Sequence, residues 1–192
     1  MPDFVTPQII REAANGNRHA FRTIVEQHQG FVYAVAFRFV QDATEAEDLT
    51  QEIFIRLWKS LHTYRDEVKF TTWLYRIVAN RCLDFIKSRH ARQRKNTVDV
   101  NRGQSVQDQS TPEKEFQQHE LMQLVRQAAD ELTPKQKAVF ILRDLEGLTT
   151  EEVSEALTMS IGNVKSNLFY ARQNMSEKLK AFYQTTDKQI LS

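Results

Sequence analysis

The chain has 192 residues, with 26 Lys and Arg against 25 Asp and Glu, one cysteine and five glycines. A single cysteine excludes a disulfide framework and a cysteine-based zinc finger, and fits a reducing, cytoplasmic setting. So few glycines exclude Gly-rich turn architectures and Gly-rich nucleotide loops, and the net charge of +1 at first argues against nucleic acid, whose partners are usually strongly basic.

Hydrophobic periodicity is helical throughout, and no alternating strand is evident. No apolar run nears the roughly 18 residues of a membrane span. The opening MPDFVTPQII lacks the basic-then-apolar pattern of a signal peptide, so no direct membrane insertion is expected. Thr6-Pro7 marks a first helix start, because Thr caps well and Pro suits the first turn. Phe21, Ile24, Val25, His28, Val32, Val35, Ala36 and Phe39 then recur at spacings of three and four. Leu49, Ile53, Phe54, Leu57, Trp58 and Leu61 predict a second long helix, and Phe70, Leu74, Ile77, Val78, Arg81 and Phe85 a third.

Charge along these helices is segregated. Residues 41–52 carry five acids and no base, a net of −5, and residues 69–95 carry eight bases and one acid, a net of +7. On the basic helix Trp73, Arg76, Asn80, Asp84 and Lys87 share a stripe. Aromatic rings stack on unpaired bases, cations hold phosphates and an amide bonds a base edge, so the stripe suits an opened single strand. A packed Trp73, a structural salt bridge for Arg81 and a merely solvated charged face are the alternatives.

Residues 93–117 are rich in Gln, Asn, Asp and Ser and nearly free of large apolar side chains, which predicts a flexible polar linker. Beyond it, Thr133-Pro134 with Gln136 and Thr149 with Glu152 have capping-box spacing. Gly147 ends one helix, Val153, Ala156 and Leu157 line the next, and Ser160 opens a third whose apolar stripe is Val164, Leu168, Ala171, Met175 and Leu179. Two short helices and a tight turn make a helix-turn-helix, whose outer face can read base edges in the major groove; an ordinary helical hairpin has the same pattern. The last residues, 184–192, read as a frayed tail.

The run Asp48-Leu49-Thr50-Gln51-Glu52-Ile53-Phe54, with Trp58, Phe70-Thr71-Thr72-Trp73-Leu74, Ile77, Asn80 and Asp84, resembles region 2 of bacterial RNA polymerase sigma factors. Leu132-Thr133-Pro134-Lys135-Gln136, Glu146-Gly147-Leu148, Glu151-Glu152-Val153 and Val164-Lys165-Ser166 resemble their region 4. The compact two-domain layout is similar to the extracytoplasmic-function (ECF) group of the sigma-70 family.

The resemblance implies an all-α protein of two small helical domains. Residues 1–92 would form the polymerase-docking and −10 domain and 93–117 the linker. Residues 118–183 would form the −35 helix-turn-helix domain, and 184–192 the tail. It implies core RNA polymerase and promoter DNA as partners, with neither cofactor, metal nor small-molecule substrate. Asp48, Gln51, Glu52, Arg56 and Trp58 are the implied polymerase contacts. Tyr64, Lys69, Phe70, Arg76, Asn80 and Lys87 are the implied −10 binding and melting residues, with a flipped base near 62–69. Lys165, Ser166, Asn167, Tyr170, Arg172, Gln173 and Asn174 would read the −35 element. The family often has Gly in the helix-turn-helix turn, where this chain has Thr158 or Met159. No masking domain is visible, which implies that inhibition comes from a separate anti-sigma factor.

Two other classes fit a terminal helix-turn-helix. A stand-alone activator or repressor would bind duplex DNA as a dimer. A serine recombinase would need a nucleophilic serine on an α/β domain, and the N-terminal half has only Ser60 and Ser88 and no strand pattern. His19, His28, His62, His90 and His119 lack ligand spacing, and Cys82 is expected to be a packed side chain.

Overall fold

The computed structural model describes residues 5–95, 128–129 and 131–190, and these contain helices and no strand. The predicted linker therefore lies almost wholly outside the described residues. Helix α1 spans Pro7–Ala14, α2 Arg18–Val40, α3 Ala43–Ser60 and α4 Phe70–Lys95. A 3-10 turn, Leu61–Thr63, leads from α3 toward α4. In the C-terminal unit α5 spans Pro134–Phe140 and runs into a π turn, Ile141–Leu145. Helix α6 then spans Thr150–Leu157 and α7 Ile161–Ile190. The backbone stays helical through most of the predicted tail, since nothing in 184–190 breaks it: there is no Pro or Gly.

Local chemistry sets the boundaries. Helix starts leave backbone N–H groups without partners, and short polar side chains accept them here. Asn17 accepts from His19 at 2.9 Å and from Ala20 at 3.2 Å. Asp42 accepts from Glu45 at 2.9 Å. Both predicted capping boxes form: Thr133 with Gln136 (3.3 and 3.0 Å) and Thr149 with Glu152 (3.1 and 2.9 Å). Helix α6 ends on Thr158 at φ 52°, ψ 49°. The Met159 N–H donates to the Ser154 carbonyl at 3.0 Å and that of Thr158 to Glu155 at 3.3 Å. This pair of bonds is a Schellman closure, which usually holds Gly at the left-handed position.

Helices α2 and α3 pack against each other and α4 lies against both. Ile24, Val32, Val35, Phe39, Leu49, Ile53, Leu57, Leu74 and Val78 are buried between them. Each such side chain contributes about 1.5–3 kcal/mol of burial. Cys82 is buried in the same core, which pushes its thiol up to about 12, so it is an inert packed side chain at neutral pH. In the C-terminal unit Ala138, Val139, Leu142, Val153, Ala156 and Val164 are buried, and Ala171 and Met175 continue the predicted stripe of α7.

Candidate polymerase and nucleic-acid interfaces

On α3 the exposed side chains Asp48, Gln51, Glu52, Ile55 and Arg56 share one side of the helix, as their three- and four-residue spacing requires. Ile55 is the notable one: an aliphatic side chain left 53% exposed amid polar neighbours. Among the described residues Asp48 and Gln51 have no hydrogen-bond or ion-pair partner. Trp58 stands at the edge of this face. It is half-buried and meets Phe21 of α2 edge-on, with ring centroids 4.7 Å apart. Trp58 lies seven residues past Gln51, about 20° round the helix from it, so it sits at the rim of this face, where its ring is partly covered by α2.

The acidic and basic blocks lie on neighbouring helices and pair with each other. Glu45 meets Arg89 at 2.9 Å, Glu52 pairs with Arg81, and Asp84 reaches Arg56 at 3.7 Å. Arg81, only 15% exposed, has the structural role its place beside the apolar stripe suggests. Burial raises the Glu45 carboxyl above its ordinary value, Arg89 pulls it back, and Asp42 raises it further. Desolvation thus outweighs the partner's attraction at that pair.

On α4 the side chains of Arg76, Asn80, Asp84 and Lys87 are exposed in one stripe. Before them the segment 62–69 is held by aromatic rings. The Tyr64 hydroxyl donates to the Val68 carbonyl at 2.8 Å and closes the loop. Its ring lies 5.2 Å from that of Trp73, which is half-buried, and 5.5 Å from that of Phe70. Phe70 departs from the expectation: it is 3% exposed and turned inward, edge-on to His28 at 5.6 Å. As the first residue of α4 it packs down onto α2, so it supports Tyr64 and Trp73 from beneath and cannot itself stack on a base. His28 is buried, its Nδ1 3.0 Å from the Ile24 carbonyl.

On α7 the exposed side chains include Lys165, Ser166, Phe169, Tyr170, Arg172 and Gln173. Phe169 and Tyr170 are 63% and 57% exposed and meet edge-on at 5.5 Å. The Arg172 guanidinium forks onto Asp144, Nε to Oδ2 at 2.8 Å and Nη2 to Oδ1 at 2.6 Å, which raises its pKa. Gln173 donates to Glu177 at 3.0 Å. Asn167 and Asn174 are half-buried. Asn167 donates to its own helix, to the Asn163 carbonyl at 2.7 Å, and the Asn174 Oδ1 is buried without a partner. These two amides therefore flank the outward face without lying on it.

Sequence reasoning missed two carboxylates. Glu146 receives the Arg38 guanidinium and, at 3.0 Å, the Tyr75 hydroxyl. Glu152 receives the Lys69 ammonium at 3.3 Å. Burial and the Glu146 charge together push the Tyr75 hydroxyl above its ordinary value. The hydrogen bond from Thr149, helped by Lys69, holds Glu152 below its own. The partners are separated by 108, 71 and 83 positions, so no local pattern signals them.

Among the described residues no group of His, Cys, Asp and Glu could hold a metal ion, and no helix is long and apolar enough to cross a membrane. What the two units offer is surface: an acidic and amide face on α3, a basic stripe beside an aromatic-braced loop on α4, and an exposed helix-turn-helix.

That combination defines a class of two-unit helical proteins carrying a terminal helix-turn-helix. Residues 24–92 match the family described as Sigma-70 region 2, and residues 122–175 match Sigma-70, region 4. The chain belongs to the sigma-70 family of RNA polymerase sigma factors, in its ECF group. It is 29% identical over 187 residues to the ECF RNA polymerase sigma-E factor of Haemophilus influenzae, covering 94% of this chain and 98% of that one. It is 28% identical over 179 residues to the RNA polymerase sigma-H factor of Pseudomonas aeruginosa, covering 90% and 93%. The fold is similar to that of CnrH solved in complex with the cytosolic domain of CnrY (TM-score 0.66, 23% identity, 90% of this chain, 96% of that one). It is also similar to the sigma factor RpoE in complex with the anti-sigma factor NepR from Bartonella quintana (TM-score 0.63, 21% identity, 83% and 96%).

Proposed function

We propose that this chain is an alternative sigma factor that binds core RNA polymerase, recognises −35 and −10 promoter elements, promotes melting, and is controlled by an anti-sigma factor. It acts in the cytoplasm and carries out no catalysis of its own. The observation that carries the reading is the single helical scaffold presenting three separate faces, each of a different chemistry.

The α3 face, with Asp48, Gln51 and Glu52 around Ile55, suits a basic helical partner with an apolar centre. Asp48 and Gln51 are the better docking residues, because Glu52 and Arg56 are already engaged with α4. The loop 62–69 and the stripe Arg76, Asn80 and Lys87 suit a strand taken out of the duplex. Unstacking costs roughly a few kcal/mol per step, and phosphate contacts with base capture offset it. On α7, Lys165 and Arg172 suit phosphates, and Ser166, Tyr170 and Gln173 suit base edges. Linking two weak DNA contacts through one polymerase-bound chain makes the second effectively intramolecular.

The test separates the faces. Asn80→Ala reduces open-complex formation in run-off transcription and leaves core-polymerase binding intact. Asp48→Arg weakens polymerase pull-down. Equal open-complex yield removes Asn80 from the −10 site, and an unchanged pull-down removes Asp48 from docking.

A further inference from the structure

The turn that follows α5 is wider than an α-helical one. The Glu146 N–H donates to the Ile141 carbonyl at 2.9 Å, five residues back. Such π turns recur at functional sites, where the extra residue re-aims the side chains that follow. Ile141 and Leu142 still face the core and are buried. Asp144, in the same turn, meets α7 instead. It takes the Arg172 guanidinium in a fork, Nε at 2.8 Å and Nη2 at 2.6 Å, across 28 positions of chain. The Asp144 side chain is 20% exposed and that of Arg172 57%.

A half-exposed ion pair contributes little to stability, but a bidentate one fixes the plane of the guanidinium. The fork occupies one N–H on Nε and one on Nη2. A guanidinium has five, so three remain on Nη1 and Nη2, enough for a second bidentate contact at the end of the group. Arg172 also stands at the rim of the outward face of α7. Lys165, seven residues earlier, is about 20° round the helix from it and about 10 Å along the axis, and both are exposed. Ser166, Phe169 and Gln173 lie about 60–120° further round and are exposed at the centre of the face. Base edges line the floor of a groove and phosphates its walls, so readers belong at the centre of such a face and cations at its rim.

We propose that Asp144 is a positioning residue for duplex recognition: it holds the Arg172 guanidinium at the rim of α7 with its free edge open to one backbone phosphate of the −35 element. The proposal rests on the reading of α7 as the −35 helix. Asp144 carries the wrong charge for DNA, so the two roles open to it have opposite signs. As a mere competitor for Arg172 it weakens binding, and its removal tightens the complex. As a positioning residue it spares Arg172 the cost of being ordered at the phosphate, and its removal loosens the complex.

The test uses the full chain assembled with core polymerase. The probe is a duplex selected by that holoenzyme from a random-sequence library, with copies in which one phosphate at a time is a neutral methylphosphonate. Competition binding should show that Asp144→Ala lowers affinity for the unmodified probe about two- to tenfold, the cost of ordering one long side chain. One phosphate should matter to the wild type, matter less to Asp144→Ala, and not matter to Arg172→Ala. Asp144→Asn, which keeps one acceptor oxygen, should fall between wild type and Asp144→Ala. A second phosphate, the one to which Lys165→Ala is insensitive, should keep its full effect in Asp144→Ala.

Tighter or unchanged binding by Asp144→Ala overturns the positioning role. So does a loss that falls equally on the Lys165 phosphate, which is what a general loosening of the helix-turn-helix gives. Should Asp144→Ala not fold, Arg172→Lys keeps the charge without the fork and is read at the same phosphate, where a wild-type response overturns the proposal. A wild type insensitive at every phosphate of the upstream element refutes the −35 reading itself, and the positioning role with it.

Discussion

Replacing Thr158 by glycine should stabilise the protein, and the size of the gain follows from the backbone. Thr158 lies at φ 52°, ψ 49°, in the turn between the two helices of the helix-turn-helix. For an L-residue the left-handed region costs about 1–2 kcal/mol, and a β-branched side chain sits at the unfavourable end. The conformation is held by the Schellman bonds from Met159 and Thr158 and by the Ser154 hydroxyl, which donates to the Met159 carbonyl. Glycine removes the steric cost but has about 0.5–1 kcal/mol more backbone freedom to lose on folding. The net gain is about 0.5–1 kcal/mol, or about 1–4 °C in Tm for a chain of this size. Thr158→Ala keeps a Cβ and should recover less. Thermal and urea unfolding of wild type, Thr158→Gly and Thr158→Ala test this. If glycine is no better than alanine, left-handed strain is not what Thr158 costs.

Three further outcomes follow from the same structure. Phe39→Ala empties a fully buried site between α2 and its neighbours, and should cost about 3–5 kcal/mol in urea unfolding. Lys165→Ala removes one exposed cation from α7, and should lower the slope of log K against log salt for duplex binding by about 0.9 while leaving sequence preference unchanged. Glu152 has a folded pKa below its ordinary 4.5. The stability it contributes is therefore fully present above that value and lost as pH falls through the folded pKa. The capped start of α6 should lose stability in acid below about 4.5, the Thr149 N–H bond first and the Lys69 contact with it, and Glu152→Gln should flatten that part of the pH profile.

What was legible in the sequence was what is local. The capping boxes at Thr133 and Thr149 could be read because donor and acceptor lie three residues apart. The stripe of α7 could be read because burial repeats with the helix. Arg81 could be read as structural because it lay beside apolar positions. Phe70 departs from its expected place because a motif taken as a block assigns its residues to a surface together, whereas a helix turns them to different sides. Phe70, at the entry to α4, points down onto His28. Residues 184–190 continue α7, because polar residues without Pro or Gly carry a helix on as readily as they end one. Glu146 and Glu152 were invisible as bridging groups because their partners lie in the other unit. Charge segregation was legible, but which charges cancel depends on the packing of α3 against α4.

The α3–α4 pairs have a kinetic consequence. Zipping opposite charges across neighbouring helices turns what would be a monopole into short dipoles. The field of a dipole fades faster than that of a single charge, and beyond about 8–10 Å salt removes what is left. DNA at a distance therefore experiences almost no pull from the free chain, and its encounter rate gains little from electrostatic steering. Salt then acts mainly on how long a contact lasts, not on how often one forms. A chain arranged this way is poorly suited to searching DNA alone and is delivered to it best as a passenger on a larger body that carries its own attraction for the duplex.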